Sequence, residues 1–409
     1  MKICVFTHTF PKHRQDTTAA FMHPLVLGLI RAGNDVVVLA PYHKDFIPKD
    51  FPYRIITYRY IWPMFLHKLG FSQTLKDGMK LGWEVYLLAP FLYFFGTLAL
   101  WRVVRREHFD VISSHWILPN GFMACVATLG TTTPYVVSLP GSDVYVAQKN
   151  WLFAKMAYYA AFFSERVCAD SPQYVAQLRN VCPVTVPTDI IAYPVNTDVI
   201  KPLKKGVSDL RRKLGATKKT MLILGVGRMV YKKGFNYLIE AVAVAYRSYT
   251  SLRLILIGEG DQMTEWHVLA KRLGIGDIVH FAGSVTRNEI NHYYNACDIF
   301  VMPSVVDQFG NIDDRPVALL EAMACGVSVI ATNFPGNALT IENGVSGILV
   351  PEKNVDAIAT AVAALLRSAT LRNRLGREAR RRVYQMFRHT VIGKRYDTLF
   401  RDILRHRNV

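Results

Sequence analysis

The stretch 307–332 constrains the fold more than any other part of the chain. An apolar run, CDIFVMPS, precedes it, and its centre, PVALLEAMACG, is followed by a second apolar run, VSVIAT. The two runs have the composition of buried strands, and the centre predicts a helix that opens at Pro316 and closes at Gly326. A strand, a loop, a helix and a second strand form a βαβ unit, so the stretch predicts two neighbouring strands of a parallel sheet.

The same alternation of apolar strands and helices covers residues 2–195 and resumes at residue 221. A chain of 409 residues is too long for one ordinary core, and the polar stretch 201–215 predicts a linker between two domains. The fold class predicted is therefore α/β, with two Rossmann-like, doubly wound domains facing each other across a cleft. Ligands of such sheets bind at the carboxyl ends of the strands, so the site is expected in that cleft.

Charge and cysteine content narrow the class of partner. The formal net charge is +18, the second half carries most of the excess, and the segment from residue 372 onward is the most basic. Nucleic acid, an anionic membrane surface and a solvated basic face all fit this charge, but no nucleic-acid-binding motif accompanies it. The six cysteines are scattered without CxxC spacing, which predicts reduced thiols in a cytoplasmic protein without a zinc site.

The segment 85–101 carries no charge and is followed by Arg102, Arg105 and Arg106. Its length lies at the lower limit for crossing a bilayer. We expect a helix that packs within the first domain or lies in a membrane interface, because a span would cut that domain in two. If the basic C-terminal helix returns to the first domain, the two features are expected to lie near each other.

Two carboxylates and two cations are the candidate site residues of the second half. Asp313 precedes the predicted helix 316–326, whose N-terminus suits a diphosphate, and Glu321 lies within reach of a sugar hydroxyl. Glu321 would otherwise be an unpaired acid in apolar surroundings, although a buried crossover helix with an incidental acid is the alternative. Arg228 and Lys233 follow the strand MLILGVG and can neutralise a diphosphate leaving group without a metal, or they are solvated loop cations.

Taken together, the motifs resemble the retaining GT-B glycosyltransferases of family 4, the group 1 transferases. The resemblance is strongest over residues 220–352, where GVGRMVYKKG, LILIGEG, IVHFAG and PVALLEAMACGVSVIAT follow one another. It is weaker over FPKHRQDTTAAFMHPL, VISSHWILPNGF and PGSDV in the first half. It implies an acceptor domain over 1–203, a donor domain over 204–385 and a helix over 386–409 that returns to the first domain.

The resemblance also implies a role for each matching residue. Arg228 and Lys233 would hold the donor diphosphate, Asp313 would lie near the transferred sugar in place of the usual glutamate, and Glu321 would bind the ribose. The remaining donor-side positions would meet the phosphates or the base, and the acceptor-side positions would face the second substrate. The donor-side positions are Gly227, Gly258, Glu259, His280, Phe281, Pro316, Val317 and Ala318, and the acceptor-side positions are Asp16, His115 and Asp143.

The function predicted is that of a retaining, metal-independent glycosyltransferase without a cofactor. Its donor would be a nucleoside-diphosphate sugar and its acceptor a lipid-linked or cell-surface glycan, at the inner face of the membrane and without nucleic acid. Two alternatives stay open at this point. One is another GT-B enzyme such as a sugar-nucleotide epimerase, and the other is a non-catalytic peripheral membrane protein on a degenerate transferase fold.

Overall fold

The structure is a computed structural model that describes residues 1–70, 75–76, 80–81, 83–141, 143–203 and 205–407. Ser142 of the PGSDV motif and Lys204 of the polar stretch 201–215 lie outside the described residues. The strands are β1 Lys2–Phe6, β2 Asp35–Pro41, β3 Arg54–Tyr58, β4 Leu75–Lys76, β5 Lys80–Leu81, β6 Val111–His115, β7 Tyr135–Leu139, β8 Arg166–Ala169, β9 Thr188–Ile190, β10 Met221–Val226, β11 Leu252–Ile257, β12 Val279–Phe281, β13 Ile299–Met302, β14 Ser328–Thr332 and β15 Ile348–Val350.

The helices alternate with these strands. They are α1 Met22–Arg31, α2 Trp83–Glu107, α3 Phe122–Ala127, α4 Asp143–Ala147, α5 Trp151–Phe162, α6 Pro172–Arg179, α7 Val207–Lys213, α8 Phe235–Tyr246, α9 Met263–Arg272, α10 Arg287–Ala296, α11 Val317–Ala324, α12 Pro335–Thr340, α13 Val355–Arg367, α14 Ala369–Met386 and α15 His389–Arg407. The chain divides into two compact units. The first is Met1–Pro194 with His389–Val409, and the second is Val195–Arg388.

The first unit is built on a parallel sheet with strand order β3-β2-β1-β6-β7-β8-β9. Its central strands β6 and β7 are buried at every position, as expected where both faces of a parallel sheet are covered. The order reverses between β1 and β6, so the carboxyl ends of these two strands border the crevice where doubly wound sheets bind ligands.

Helices cover the two faces of this sheet in separate sets. Val137 and Leu139 of β7 join the core that contains residues of α2, α3 and α5. Ser138 points the opposite way, as alternate strand residues do, and its Oγ lies 3.3 Å from Tyr396 Oη on α15. The basic helix α15 therefore lies across the sheet from α2, and the expected proximity of segment 85–106 to the C-terminal helix is wrong.

Helix α15 packs on α1 at a point where each helix has a glycine, so that neither backbone carries a side chain there. Gly28 of α1 lies so close to α15 that a Cβ there would overlap the carbonyl oxygen of His389, and a Cβ on Gly393 would overlap the backbone of Gly28. Only glycine fits such a crossing, because any side chain would separate the two helices. The terminal helix is thus held by close backbone contact.

The second unit has a parallel sheet with strand order β12-β11-β10-β13-β14-β15. Its order reverses between β10 and β13, which places the loops after these two strands side by side. The predicted helix 316–326 is α11, preceded by Pro316 and followed by Gly326 in the left-handed region at φ +80°. Two doubly wound sheets are present, as the sequence predicts.

The stretch 201–215, predicted to be a linker between the domains, lies inside the second unit, which begins at Val195. Its residues Val207–Lys213 form α7, which packs on α10 of the second unit. Arg211 of α7 donates to the carbonyl of Ala296 at 2.6 Å and pairs with Asp298 at 3.0 Å. Leu203 N donates to Asn295 Oδ1 at 2.7 Å. The polar residues of this stretch anchor it to α10 and to the start of β13, and composition alone does not reveal these contacts.

Candidate functional site

The loop after β10 contributes three cations to the crevice beside β13. Arg228 is exposed, whereas Lys232 is buried and Lys233 is largely buried. Gly227 gives the loop its shape, because a Cβ there would lie 2.7 Å from Lys233 Cε. The lysine side chain therefore crosses directly over the glycine backbone. We call Arg228, Lys232 and Lys233 the cation cluster.

Asp313, from the loop after β13, forms an ion pair with Lys233. Burial alone would raise the pKa of Asp313, but the charges of Lys233, Lys232 and Arg228 outweigh it and lower that pKa below the ordinary value. Asp313 is therefore ionised at neutral pH. The structure brings together the three residues that the sequence assigned to the chemistry, namely Arg228, Lys233 and Asp313.

Lys232 is the member of the cluster that sequence reasoning missed. Its Nζ donates to Asn311 Oδ1 at 3.4 Å. Burial lowers its pKa to about 8; Asp313 opposes this shift, while Arg228 and Lys233 add to it. The double lysine in YKKG was the available signal, but only the fold reveals that the first lysine turns inward. With Asp307 as the other acid in reach, the cluster keeps an excess of positive charge, which suits an anionic ligand.

Helix α11 begins directly after the Asp313 loop. Pro316 precedes it in an extended conformation, and Val317 and Ala318 form its first turn. Their N–H groups have no intrahelical acceptor and carry the positive end of the helix dipole. The helix start and the cation cluster are thus two independent sources of positive potential at the same sheet edge.

Glu321, four residues into α11, is buried and has two partners. Its Oε1 pairs with Arg287 at the start of α10, and its Oε2 accepts a hydrogen bond from Tyr294 Oη at 2.9 Å. Burial alone would lower the pKa of Arg287, but the charge of Glu321 outweighs it and raises that pKa. The argument that Glu321 would otherwise be unpaired therefore fails, because Arg287 neutralises it. Its assignment to the ribose remains a prediction.

The residues predicted beside the base are only partly brought together. A Cβ on Gly258 would overlap the carbonyl oxygen of Gly227, and Glu259 O accepts from Met229 N at 2.8 Å, so the loops after β10 and β11 are in contact. His280 is exposed on the edge strand β12. Phe281 stacks on His267 with ring centroids 3.7 Å apart, which turns it toward α9.

Two of the predicted acceptor-side residues lie in or beside the loop that follows β6 in the first unit. His115 is fully buried, with Nδ1 2.8 Å from Tyr193 Oη and Nε2 3.1 Å from Ser113 Oγ. Burial lowers its pKa to about 3, so the ring is neutral at physiological pH. Asp143 begins α4, and its Oδ2 accepts from Ile117 N at 2.6 Å.

Burial raises the pKa of Asp143 to about 7, and backbone hydrogen bonds from neighbours that include Ile117 oppose that shift. The carboxyl group therefore titrates near neutral pH and ties the α4 start to the loop after β6. Asp16 lies in a different loop, where its carboxylate accepts from Lys12 N at 2.9 Å and Thr18 N at 3.0 Å. Burial alone would raise its pKa, but these hydrogen bonds and Lys12 lower it.

Trp116 is a further candidate on the first unit that sequence reasoning did not single out. It follows β6 with a positive φ of 72°, which is rare for a bulky side chain. Its ring lies 4.9 Å from His8 and 6.0 Å from Phe21, and it remains partly exposed. Strained aromatic residues at a topological switch point are candidate ligand contacts, and the HW pair at the end of a predicted strand was the available signal.

Within the described ranges, no group of three or more His, Cys, Asp or Glu side chains is arranged to hold a metal ion. The positive potential described at this edge of the second sheet comes from the cation cluster and from the start of α11.

Comparison with known proteins adds family and fold. Residues 207–382 match the family described as "Glycosyl transferases group 1", and residues 17–193 match the "Glycosyl transferase 4-like domain". The lipopolysaccharide core biosynthesis glycosyltransferase LpsE of Rhizobium meliloti is 30% identical over 303 residues, which cover 72% of this chain and 83% of the relative. N-acetyl-alpha-D-glucosaminyl L-malate synthase of Bacillus anthracis is 25% identical over 306 residues, which cover 74% of this chain and 77% of the relative.

Among solved structures, Anabaena Alr3699/HepE in complex with UDP-glucose superimposes with a TM-score of 0.73. The sequence identity is 18%, and the alignment covers 98% of this chain and 99% of that chain. At this identity the likeness concerns the fold, and the predicted two-domain GT-B architecture is confirmed.

Proposed function

The chain belongs to the group 1 glycosyltransferases, and from that premise we propose that it transfers a sugar from a nucleoside diphosphate with retention of the anomeric configuration and without a metal ion. The acceptor is a lipid-linked or cell-surface glycan, and the reaction takes place at the cytoplasmic face of the membrane. The observation that carries the proposal is the cation cluster around Asp313, next to the start of α11.

Loss of a nucleoside diphosphate requires that negative charge on the departing phosphate be stabilised as the bond breaks. Arg228 offers a planar guanidinium, Lys233 a point charge, and the first turn of α11 two N–H groups. Lys233 and the helix start are in position before the donor arrives. These groups replace the divalent metal that neutralises the diphosphate in metal-dependent transfer. Asp313 holds Lys233 in position through their ion pair.

Retention follows if the acceptor attacks from the face that the leaving group vacates. The acceptor oxygen then bonds to the anomeric carbon as the bond from that carbon to the diphosphate oxygen breaks. The acceptor proton passes to the departing phosphate, so the products are the glycoside and the nucleoside diphosphate. No protein nucleophile is required, and the preorganised cations lower the barrier for departure.

The relatives support the substrate classes. The HepE structure contains UDP-glucose, and LpsE is named for lipopolysaccharide core biosynthesis. We assign to this chain a nucleotide-sugar donor and a role in polysaccharide or glycolipid assembly. On the first unit, we assign acceptor contact to Trp116, whose partly exposed ring can stack on a sugar, with His115 and Asp143 supporting the loop that carries it.

The experiment is a turnover assay for nucleoside-diphosphate release with a panel of nucleotide sugars and glycan acceptors. Arg228→Ala and Lys233→Ala should each lower turnover by roughly 10²–10³, by analogy with loss of one preorganised oxyanion donor. Lys271→Ala, an exposed lysine on α9, is the matched control and should retain full turnover. EDTA should leave the wild-type rate unchanged.

Other outcomes identify the alternatives. Loss of activity in EDTA with recovery on adding magnesium would overturn the metal-free mechanism. An epimerised sugar nucleotide without transfer would identify an epimerase, and an inverted glycosidic linkage would overturn retention. Nucleotide-sugar binding without turnover under all acceptors tested would identify a non-catalytic protein.

A further inference from the structure

Helix α2 exposes large apolar side chains along the whole of its outer face. Phe94 is 64% exposed and Leu87 60% exposed, values far from those of a core helix. The other members of this row are Tyr86, Phe91, Phe95 and Trp101. A surface helix of a water-soluble domain ordinarily turns polar residues outward. The outward face of α2 therefore has the composition of a surface that binds an apolar partner.

The inner face of the same helix is fixed to the first unit. Leu88, Leu92, Leu100 and Val104 repeat every four or eight residues and are buried in the core of that unit. At Gly96, a Cβ would lie 2.5 Å from Met123 Sδ on α3, so the helix rests directly on its neighbour. Helix α2 is apolar on both faces. In the part of the chain that the structure describes, its inner face is buried against the first unit and its outer face is exposed.

The segment Val85–Glu107 is the one described helix that is long and apolar enough to cross a bilayer. Crossing would require the buried row from Leu88 to Val104 to leave the core, which would expose both the helix and the sheet beneath it. The packing favours a helix that lies along the surface. Its axis would then run in the plane of a membrane, with the outer face turned to the lipid.

A second exposed apolar row lies on α5. Trp151 is 76% exposed, and Leu152, Tyr159, Phe162 and Phe163 are exposed with it. Helix α3 packs against both α2 and α5 and exposes Val126, with Leu129 just beyond its end. The exposed rows of α2 and α5, with Val126 and Leu129, are called the aromatic face. Exposed apolar surfaces of this kind mark interaction sites.

Apart from the acids Glu84 and Glu107 near the two ends of α2, the charged residues of these helices are all basic. Between residues 85 and 106 and between 151 and 163, the charged residues are Arg102, Arg105, Arg106 and Lys155, and the sequence has no acid there. Arg105 stacks over Trp101 at 4.5 Å and Lys155 over Tyr158 at 5.9 Å. Aromatic rings with adjacent cations match the interface of an anionic bilayer, where rings lie at the headgroup level and cations meet lipid phosphates.

We propose that the aromatic face docks the first unit on an anionic lipid bilayer, with α2 and α5 lying in the interface and Arg102, Arg105 and Lys155 on the headgroups. The inference deepens the proposed function, on which it rests for the lipid-linked acceptor, by naming the surface that reaches the membrane. The basic helix α15 lies on the other side of the sheet and takes no part in this contact.

The test is co-sedimentation of the full chain with phosphatidylcholine vesicles, with and without phosphatidylserine, over a salt series. Wild type should bind the anionic vesicles and lose binding as salt approaches molar, where the Debye length falls to about 3 Å. Phe91→Ser/Phe94→Ser should weaken binding at least about 10-fold through lost apolar burial. Arg102→Glu/Arg105→Glu should weaken it roughly 30-fold or more, given the attraction of each cation to the surface.

Matched controls come from the second unit. Val268→Ser and Arg272→Glu change an exposed apolar residue and an exposed arginine on α9 and should bind vesicles as wild type does. All variants alter exposed side chains, so thermal unfolding should be unchanged. Brominated phospholipid should quench the fluorescence of Trp101 and Trp151. Quenching of the total tryptophan fluorescence should be smaller in a Trp101→Phe/Trp151→Phe variant, which keeps the other four tryptophans of the chain, among them the core residue Trp266 at 1% exposure.

Three results would overturn the inference. These are equal vesicle binding by wild type and Phe91→Ser/Phe94→Ser, no vesicle binding by wild type, and self-association that the same double substitution abolishes, which would assign the face to a second copy. Nucleoside-diphosphate release with a water-soluble acceptor is measured in parallel. If nucleoside-diphosphate release persists but the protein does not bind vesicles, only the docking surface is refuted. If the protein binds vesicles but shows no turnover, only the transferase proposal is refuted.

Discussion

The buried pair formed by Arg287 and Glu321 makes the sharpest prediction about stability. Replacing Arg287 by methionine keeps an unbranched apolar side chain but removes the charge that neutralises Glu321. Glu321 then keeps Tyr294 as its hydrogen-bond donor within a buried environment. Removing one partner of a buried ion pair is strongly destabilising, because the other charge is left uncompensated away from water.

The magnitude follows from the burial of the pair. The side chains of Arg287 and Glu321 are 16% and 6% exposed, so the free energy of unfolding should fall by about 3–5 kcal/mol. For a unit of the size of Val195–Arg388, this corresponds to a fall in the melting temperature of about 6–20 °C. The exposed pair of Arg212 and Asp209, at 80% and 65% exposure, provides the matched control. Arg212→Met should cost about 1 kcal/mol or less.

The assay is thermal and urea unfolding of wild type, Arg287→Met, Glu321→Gln and the double variant. The double variant should recover part of the loss, with a coupling free energy of about 0.5–3 kcal/mol. A melting temperature for Arg287→Met equal to that of Arg212→Met would refute the reasoning, as would strictly additive losses in the double variant. The same proteins test the ribose assignment: Glu321→Gln should weaken binding of a ribonucleotide more than that of its 2′,3′-dideoxy analogue.

Three further predictions concern the candidate site. Asp143→Asn should raise the melting temperature of the first unit more at pH 8 than at pH 5. The pKa of the Asp143 carboxyl is raised to about 7 in the folded protein, so the folded state loses stability relative to the unfolded chain as pH rises from the unfolded pKa near 4 through 7. Equal shifts at both pH values would contradict this. Lys232→Met should weaken nucleotide binding at pH 7 and flatten its decline above pH 8, where the wild-type lysine loses its proton; calorimetric titration at pH 7 and 9 checks both. Gly258→Ala should cost about 2 kcal/mol or more from overlap with Gly227 O, whereas Gly274→Ala, in open space at a positive φ, should cost about 1–2 kcal/mol. Equal losses of unfolding free energy in Gly258→Ala and Gly274→Ala would contradict the predicted overlap with Gly227 O.

Much of the site lies within single loops and is therefore visible in the sequence. Gly227, Arg228 and Lys233 belong to one turn between a strand and a helix, and Asp313 and the start of α11 belong to another. The sheet order then brings the two loops together, because β10 and β13 are adjacent where the strand order reverses. The assignment of roles to these residues, and to the acceptor-side residues, stays a prediction until the variants are made.

The sequence by itself determined the elements and their class. Continuous apolar strands that alternate with helices can be buried only in parallel sheets covered on both faces, so the two doubly wound units follow from local patterns. The tertiary structure alone decided which distant residues meet. Arg287 reaches Glu321 from another helix, Lys232 turns inward beside Asn311, and α7, within the polar stretch 201–215, docks on α10. It also placed α15 and α2 on opposite faces of one sheet. The sequence of a helix shows that the helix has an apolar face. Which side of the sheet the helix covers is set by the handedness of each crossover and by which strands are neighbours.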